Sequence, residues 1–346
     1  MRPKGKATSF DIAYLAGVSQ PTVSRALRGS PTVNEQTRQR ILQIATELNY
    51  KVDKNASNLR NQQSGTLALL FFEDPTLDDS LINPFFLSML GSLTRACALQ
   101  GYDLLISFQQ LSSNWHMEYE DSKKADGLIL LGYGDYLEYL ARLELLVEQG
   151  THFVRWGVVL PGQPGVSIGC DNFQGGRDMT CHLLEQGRRQ IAFVGHASAH
   201  YPEFLERYKG YSQSLRDAGH AVRDELQIDA FTTERSGYEA AGELIARGTR
   251  FDALFCASDL IAIGAMRALV DRGIRVPQDV AVAGFDDIPI ASFTNPSLTT
   301  VQQDTKAAAT LLVESLLGLI HDEPVQSRTM PAKLAIRQST LTVPTP

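Results

Sequence analysis

The sequence predicts an α/β protein: a small helical head followed by a doubly wound body large enough for two lobes. Three observations predict it. Residues 8–28, TSFDIAYLAGVSQPTVSRALR, spell two short helices joined by a tight turn. From Thr66 onward, apolar runs alternate with stretches of helical length. The charge is also divided. Residues 1–60 carry ten Lys or Arg against four Asp or Glu, whereas the remainder carries 22 against 35.

Composition narrows the class first. A chain of 346 residues exceeds one hydrophobic core, and 43% hydrophobic with 21% charged residues is ordinary for a globular protein. No run approaches the apolar length of a membrane span, and MRPKGKATSF lacks the apolar core of a signal peptide, so a cytoplasmic protein with no membrane partner is expected. Cys97, Cys170, Cys181 and Cys256 are scattered without a CxxC pair. Neither a disulfide framework nor a metal site is expected, and no cofactor.

In the first helix Ile12, Leu15 and Ala16 share a face at i, i+3 and i+4. Gly17 can supply the positive φ of a sharp turn, and Val18 can plug the angle between helices. Ser19 reads as an N-cap, with Pro21 in the first turn of the second helix. There Val23, Ala26 and Leu27 face inward, while Gln20, Pro21, Ser24, Arg25 and Arg28 share the other face. Amide, hydroxyl and guanidinium groups on a short helix suit base edges in a major groove. The bland alternative is a hairpin with a solvated polar face. The basic head argues against it, because neutralising phosphates supplies much of the affinity for nucleic acid. Asn34 can cap a third helix whose Ile41, Ile44, Ala45 and Leu48 face the same mini-core, ending near Tyr50.

Residues 51–65, KVDKNASNLRNQQSG, read as a polar linker with one large apolar residue, Leu59. A helix this short is marginal in water. Beyond it, the runs 67–72, 102–108, 127–132, 152–156, 190–195, 253–258 and 280–285 read as buried parallel strands. Between most of them lie helical stretches at 84–100, 134–149, 173–187, 203–218, 236–247 and 259–272. Ligands in such sheets sit beyond the carboxyl ends of the strands.

The order of parts resembles the lactose-repressor/galactose-repressor (LacI/GalR) family of bacterial transcriptional regulators over nearly the whole chain. The residues that carry the resemblance are DIAYLAGVSQPTVSRALRG, TRQRILQIATELNY and ASNL, then INPFF, GYDLLIS, ADGLILL, CDNFQGG, RRQIAFVG, ERYKGY, ASDLIAIGAMRAL, RGIRVPQDVAVAGFDD and PSLTTVQQD. The resemblance implies an N-terminal three-helix helix-turn-helix head (1–50), a hinge helix (51–63) and a two-lobed, periplasmic-binding-protein-like core. Its lobes would be 64–170 with 304–322, and 171–303 with 323–346.

Carried over by position, Gln20 and Pro21 fall where the family varies its base-reading pair, and Arg25 where a side chain reads a base. Thr22, Ser24 and Arg28 complete the DNA-facing set. Leu59 matches the hinge leucine that wedges between base steps from the minor groove. Two departures weaken the hinge analogy: Val52 stands where proline is common, and Asn55 where a small apolar residue often packs against the partner's hinge.

For the effector, Phe86, Trp156 and Phe231 at strand ends form candidate cleft walls, since aromatic faces stack on a pyranose or a purine. Arg207 and Asp286 match the family's polar anchors. Ser258 and Asp259 are weaker candidates, Asp74 and Asp79 weaker still. The alternatives are core packing for the aromatics and a structural ion pair for Arg207 and Asp286. No GxSxG, Walker A, HExxH or GxGxxG pattern occurs, and adjacent Asp286 and Asp287 point in opposite directions on a strand, so no catalytic constellation is read and the chain is not expected to be an enzyme.

The resulting expectation is an allosteric repressor of carbohydrate-utilisation genes, released from a pseudo-palindromic operator in double-stranded DNA by a small sugar. A purine or nucleoside effector is the alternative, then a sugar-binding protein or enzyme of the same body fold. The chain ends at LTVPTP, without the leucine-repeat helix of the family's tetrameric member, so a homodimer is expected.

Overall fold

The computed structural model describes residues 7–50, 63–72, 82–109, 113–132 and 134–341. They belong to two compact units, Met1–Ser64 and Gly65–Pro346.

The first unit holds α1 (Ser9–Ala16), α2 (Gln20–Leu27) and α3 (Glu35–Glu47). Its start is fixed by a reciprocal cap: Thr8 Oγ1 accepts from the Asp11 N–H, and the Asp11 carboxylate accepts the Thr8 N–H at 2.8 Å. Gly17 turns the chain with φ 63°, and Asn34 caps α3 by accepting the Thr37 N–H at 2.8 Å. The mini-core is Ile12, Ala13, Ala16, Val23, Ala26, Val33, Ile41 and Ala45. Leu15, expected inside, is 46% exposed and Ala13 is inside instead. Either residue completes a face with Ile12 and Ala16 at 100° per residue. The small Ala13 lets three short helices pack closely.

In the second unit a parallel six-stranded sheet carries the first lobe. Its strands are β1 (Thr66–Phe71), β2 (Asp103–Phe108), β3 (Leu128–Leu131), β4 (Phe153–Trp156), β5 (Val166–Cys170) and β11 (Arg328–Met330), in the order β11-β5-β4-β3-β1-β2. Helices α4 (Pro84–Leu99) and α10 (Thr305–Ile320) pack together on one face, and α5 (Tyr136–Glu148) with a π-helical turn, His116–Asp121, covers the other. β2 was expected to be buried; it is an edge strand, with Leu105 36% and Ile106 49% exposed. Nothing in its apolar composition distinguishes an edge from a centre.

The second lobe is a parallel four-stranded sheet of β6 (Ile191–Val194), β7 (Gln227–Ile228), β8 (Ala253–Cys256) and β9 (Ala281–Ala283), in the order β7-β6-β8-β9. Helices α6 (Asn172–Glu185) and α7 (Pro202–Asp217) pack as one pair, α8 (Glu234–Ala246) and α9 (Asp259–Val270) as another. Glycines set both distances: a Cβ on Gly264 would lie 1.9 Å from the Glu234 carbonyl oxygen, and one on Gly210 2.1 Å from that of Phe173. β10 (Thr300–Gln302) pairs antiparallel with β12 (Lys333–Ala335).

The chain passes between the lobes three times, near Asp171, after Gln302 and between β11 and β12. The crossings are bonded to one another: the Asp171 N–H donates to the Met330 carbonyl at 2.8 Å, and Gln302 is paired with Lys333. One boundary needs correction. Residues 323–346 were assigned wholly to the second lobe, yet Arg328–Met330 pairs with β5 in the first sheet. Those three residues satisfy backbone groups that β5 would otherwise expose, and their mixed polarity gives no strand signal.

The π-helical turn carries a testable group. The Glu120 carboxylate accepts the His152 N–H at 2.7 Å and lies 3.6 and 3.4 Å from the His116 and His152 imidazoles. Burial, with the Asp121 and Asp126 charges behind it, pushes the Glu120 carboxyl up to about 7. A raised folded-state value favours folding in the protonated form. That stabilisation is complete below 4.5, the ordinary value, and is lost as pH rises through about 7. Glu120→Gln should therefore unfold at a higher temperature than wild type at pH 8, by ~1–2 kcal/mol of stability, with the difference vanishing at about pH 4. Equal shifts at both pH values in thermal melts would refute this.

Candidate DNA-reading helix and ligand cleft

On α2 the polar face has the predicted members. Pro21, Arg25 and Arg28 are exposed; Gln20, Thr22 and Ser24 are half-buried. The two arginines lie along the helix, Arg25 Nε donating to the Pro21 carbonyl at 3.3 Å and Arg28 Nε to the Ser24 carbonyl at 3.2 Å. These bonds involve Nε and hold the side chains on the helix surface. Gln20 Nε2 reaches Ser9 Oγ at 3.3 Å, tying the start of α2 to α1. Ser19 holds the N-cap backbone position, but its hydroxyl pairs with Thr22 Oγ1 at 2.9 Å and makes no capping bond. Leu59, Val52 and Asn55 lie outside the described residues, as do Asp74 and Asp79.

In the core, side chains gather at the carboxyl ends of both sheets. In the first lobe the Phe86 ring lies against Gly132 at the end of β3, 3.2 Å from where a Cβ would stand. Its neighbour Phe85 meets it edge-on at 5.4 Å and meets Trp156 at 6.0 Å. Trp156 ends β4 and is only 7% exposed. Phe86 and Trp156 are thus linked through Phe85, which the sequence reading did not single out.

In the second lobe Arg207 and Asp286 are brought together, both buried, with Arg207 Nη1 3.7 Å from Asp286 Oδ1. Arg207 Nε donates to Asn172 Oδ1 at 2.8 Å, Nη1 donates to the Ala257 carbonyl, and the guanidinium lies 3.7 Å over the Phe285 ring. Gln303 Nε2 donates to Asp286 Oδ1 at 2.7 Å. Burial pushes the Asp286 carboxyl above the usual range, and the Arg207 charge opposes that. Asp286 and Asp287 have φ of 118° and 55°, backbone that is costly without glycine and clusters at functional sites. Asp287 turns away to Arg337, at 2.6 Å, and to Gln302, so the two carboxylates serve different partners. Asn172 and Gln303 escaped the sequence reading, although each follows directly on a strand or crossing.

The remaining candidates divide. The Ser258 hydroxyl accepts the Ile261 N–H at 3.4 Å as the cap of α9. Asp259 is fully buried between Thr300 Oγ1 and the Ile288 N–H, which makes it an internal brace. Phe231 is 43% exposed and stands apart from the other walls, edge-on to Tyr201 at 5.7 Å and tilted against His196 at 5.6 Å.

The lobes touch beside these sets. The Val158 N–H donates to Glu203 Oε1 at 2.9 Å, the Tyr136 N–H donates to the His200 carbonyl at 2.9 Å, and the His200 ring meets the Asp135 carboxylate. Val158 follows Trp156 by two residues, and Glu203 precedes Arg207 by one helical turn. The aromatic set of one lobe and the polar set of the other therefore flank a common seam.

A helix-turn-helix unit joined to a two-lobed core, with candidate ligand-binding side chains at the strand ends of both lobes, has the architecture of a ligand-responsive DNA-binding protein. Comparison with known proteins agrees. A model of bacterial regulatory proteins, lacI family, matches residues 10–53, and a periplasmic binding protein-like domain matches 180–340. The transcriptional regulator RegA of Clostridium saccharobutylicum is 31% identical over 97% of this chain and 100% of its own. Among solved structures, a complex of the regulator CelR with cellobiose is 30% identical and covers 96% of this chain and 99% of its own, with a TM-score of 0.71. The lac repressor dimer bound to operator shares the fold, with a TM-score of 0.80 at 24% identity, covering 98% and 100%. The chain belongs to the LacI family of bacterial regulatory proteins. It is a DNA-binding transcriptional regulator and not an enzyme.

Proposed function

We propose that this regulator represses carbohydrate-utilisation genes as a homodimer on a pseudo-palindromic operator, and that a small sugar bound between the lobes releases it. The buried Arg207–Asp286 pair carries the reading. With Gln303 and Asn172 it sets donors and acceptors side by side at strand ends, which suits neighbouring hydroxyls. Phe86 and Trp156 supply apolar faces for the C–H side of a sugar ring, while the more exposed Phe231 stands apart from them. The cellobiose held by the related CelR supports a carbohydrate over a purine.

The mechanism needs only a ligand that binds one arrangement of the lobes better than another. A coupling of ~1–3 kcal/mol changes operator affinity ~5–150-fold. On the DNA side Gln20, Pro21, Thr22, Ser24, Arg25 and Arg28 read or position the duplex. Arg25 carries the sequence-specific part, because a guanidinium can grip guanine O6 and N7 with two bonds. Arg25→Ala should cost ~1–3 kcal/mol on the preferred operator and less on random DNA. Equal losses in a mobility-shift titration would make Arg25 a phosphate contact. A thermal-shift screen of mono- and disaccharides against nucleosides, followed by operator release, tests the effector. Stabilisation and release by nucleosides alone would overturn the sugar.

A further inference from the structure

Arg155, in β4, is fully buried. Its Nε donates to Ser167 Oγ at 2.6 Å, and its guanidinium carbon lies 5.5 Å from the centre of the Tyr136 ring. These contacts use one of five N–H groups. Nη1 and Nη2 are buried and have no hydrogen-bond partner among the described residues. A charge left so is among the most destabilising features a core can hold.

The strand register sets Leu130, Arg155 and Ser167 side by side on the face covered by α5. The loop 157–165 folds back across β5, its Gly157 carbonyl oxygen occupying the place of a Gly169 Cβ. That loop brings a second orphan. Gln163 Oε1 accepts the Leu160 N–H at 2.9 Å, which fixes the amide, and its Nε2 is buried without a partner. Both orphaned Nη groups of Arg155 are donors. A water accepts two bonds at most and brings no compensating charge, whereas an anion accepts more bonds and supplies the missing charge.

We propose that Arg155 is a buried anion site, its two Nη groups holding a halide or the oxyanion of a carboxylate or phosphate beside the Tyr136 ring. Tyr136 also donates its N–H across the lobes to His200, so the site lies close to the seam where the effector enters. The anion has two possible sources: a free ion of the medium, or the acidic group of a sugar effector. Only the second rests on the effector reading above, and the two are separable.

The full chain is melted at constant ionic strength in sodium HEPES, whose sulfonate is too bulky to be enclosed. Chloride, phosphate or glucuronate then replaces part of the HEPES. At least one of the three should raise the wild-type Tm by about 2–4 °C, and Arg155→Met should erase that rise. A rise with chloride or phosphate identifies a medium ion, and a rise with glucuronate alone identifies an effector group. If Arg155→Met does not fold, Arg155→Lys replaces it, keeping the charge but losing the fork; a rise cut by half or more supports the site. No anion-specific rise in wild type overturns the proposal, as does an unchanged rise in the variant.

Discussion

Arg207→Met should abolish the response to effector and lower the stability of the core by roughly 3–5 kcal/mol. The reason lies in what the guanidinium leaves behind. Asp286 loses its counter-charge, Asn172 Oδ1 and the Ala257 carbonyl lose a donor, and the Phe285 face loses its cation. Combining it with Asp286→Asn removes the stranded acid, so the double variant should regain much of the lost stability in denaturant melts. It should not regain ligand binding. Restored stability with restored induction would show that Arg207 is a structural brace and that effectors bind elsewhere.

A comparable effect is expected where no ligand is involved. Gly264→Ala should cost about 3 kcal/mol, because its Cβ would overlap the Glu234 backbone and force α8 away from α9. Gly91 is the control. It lies inside α4 with nothing within 4 Å of an added Cβ, so Gly91→Ala should be neutral or stabilise by ~0.5–1 kcal/mol. Urea titrations of the pair would settle it, and similar midpoints for both variants would contradict the close-packing account.

These two sites differ in how far the sequence announced them. Apolar runs made the long central strands β1, β3, β4, β6 and β8 legible, because burial on both faces leaves a continuous signal. The short strands β7, β10, β11 and β12 were not read, since two or three residues held by their neighbours need no pattern of their own. The buried β5 was missed as well, because Ser167 and Gly169 interrupt its apolar run. The resemblance to the family marked Arg207 and Asp286 as candidates, and the structure pairs them. Ser258 also ends an apolar run, where a ligand contact is expected, yet its hydroxyl serves a helix end. Nothing in periodicity distinguishes a residue that follows a strand to meet a ligand from one that follows it to cap the next helix. Arg155 was invisible for another reason: within HFVRW it reads as an interruption of a strand, and only the three-dimensional neighbours reveal it unpaired.

The three inter-lobe crossings have a mechanical consequence. Asp171 is bonded to Met330, and Gln302 is paired with Lys333, so the crossings form a row with the β11–β12 crossing in the middle. A single tether would let the lobes swivel freely, and three scattered ones would clamp them. Three in a row behave like the pin of a door, soft about the line that joins them and stiff against twist or shear. Any ligand that favours one arrangement of the lobes would then move them along one coordinate instead of many. Substitutions that unpair Thr300–Gln302 from Lys333–Ala335 should loosen that pin. Such variants would still bind effector but transmit less of its grip to the rest of the protein.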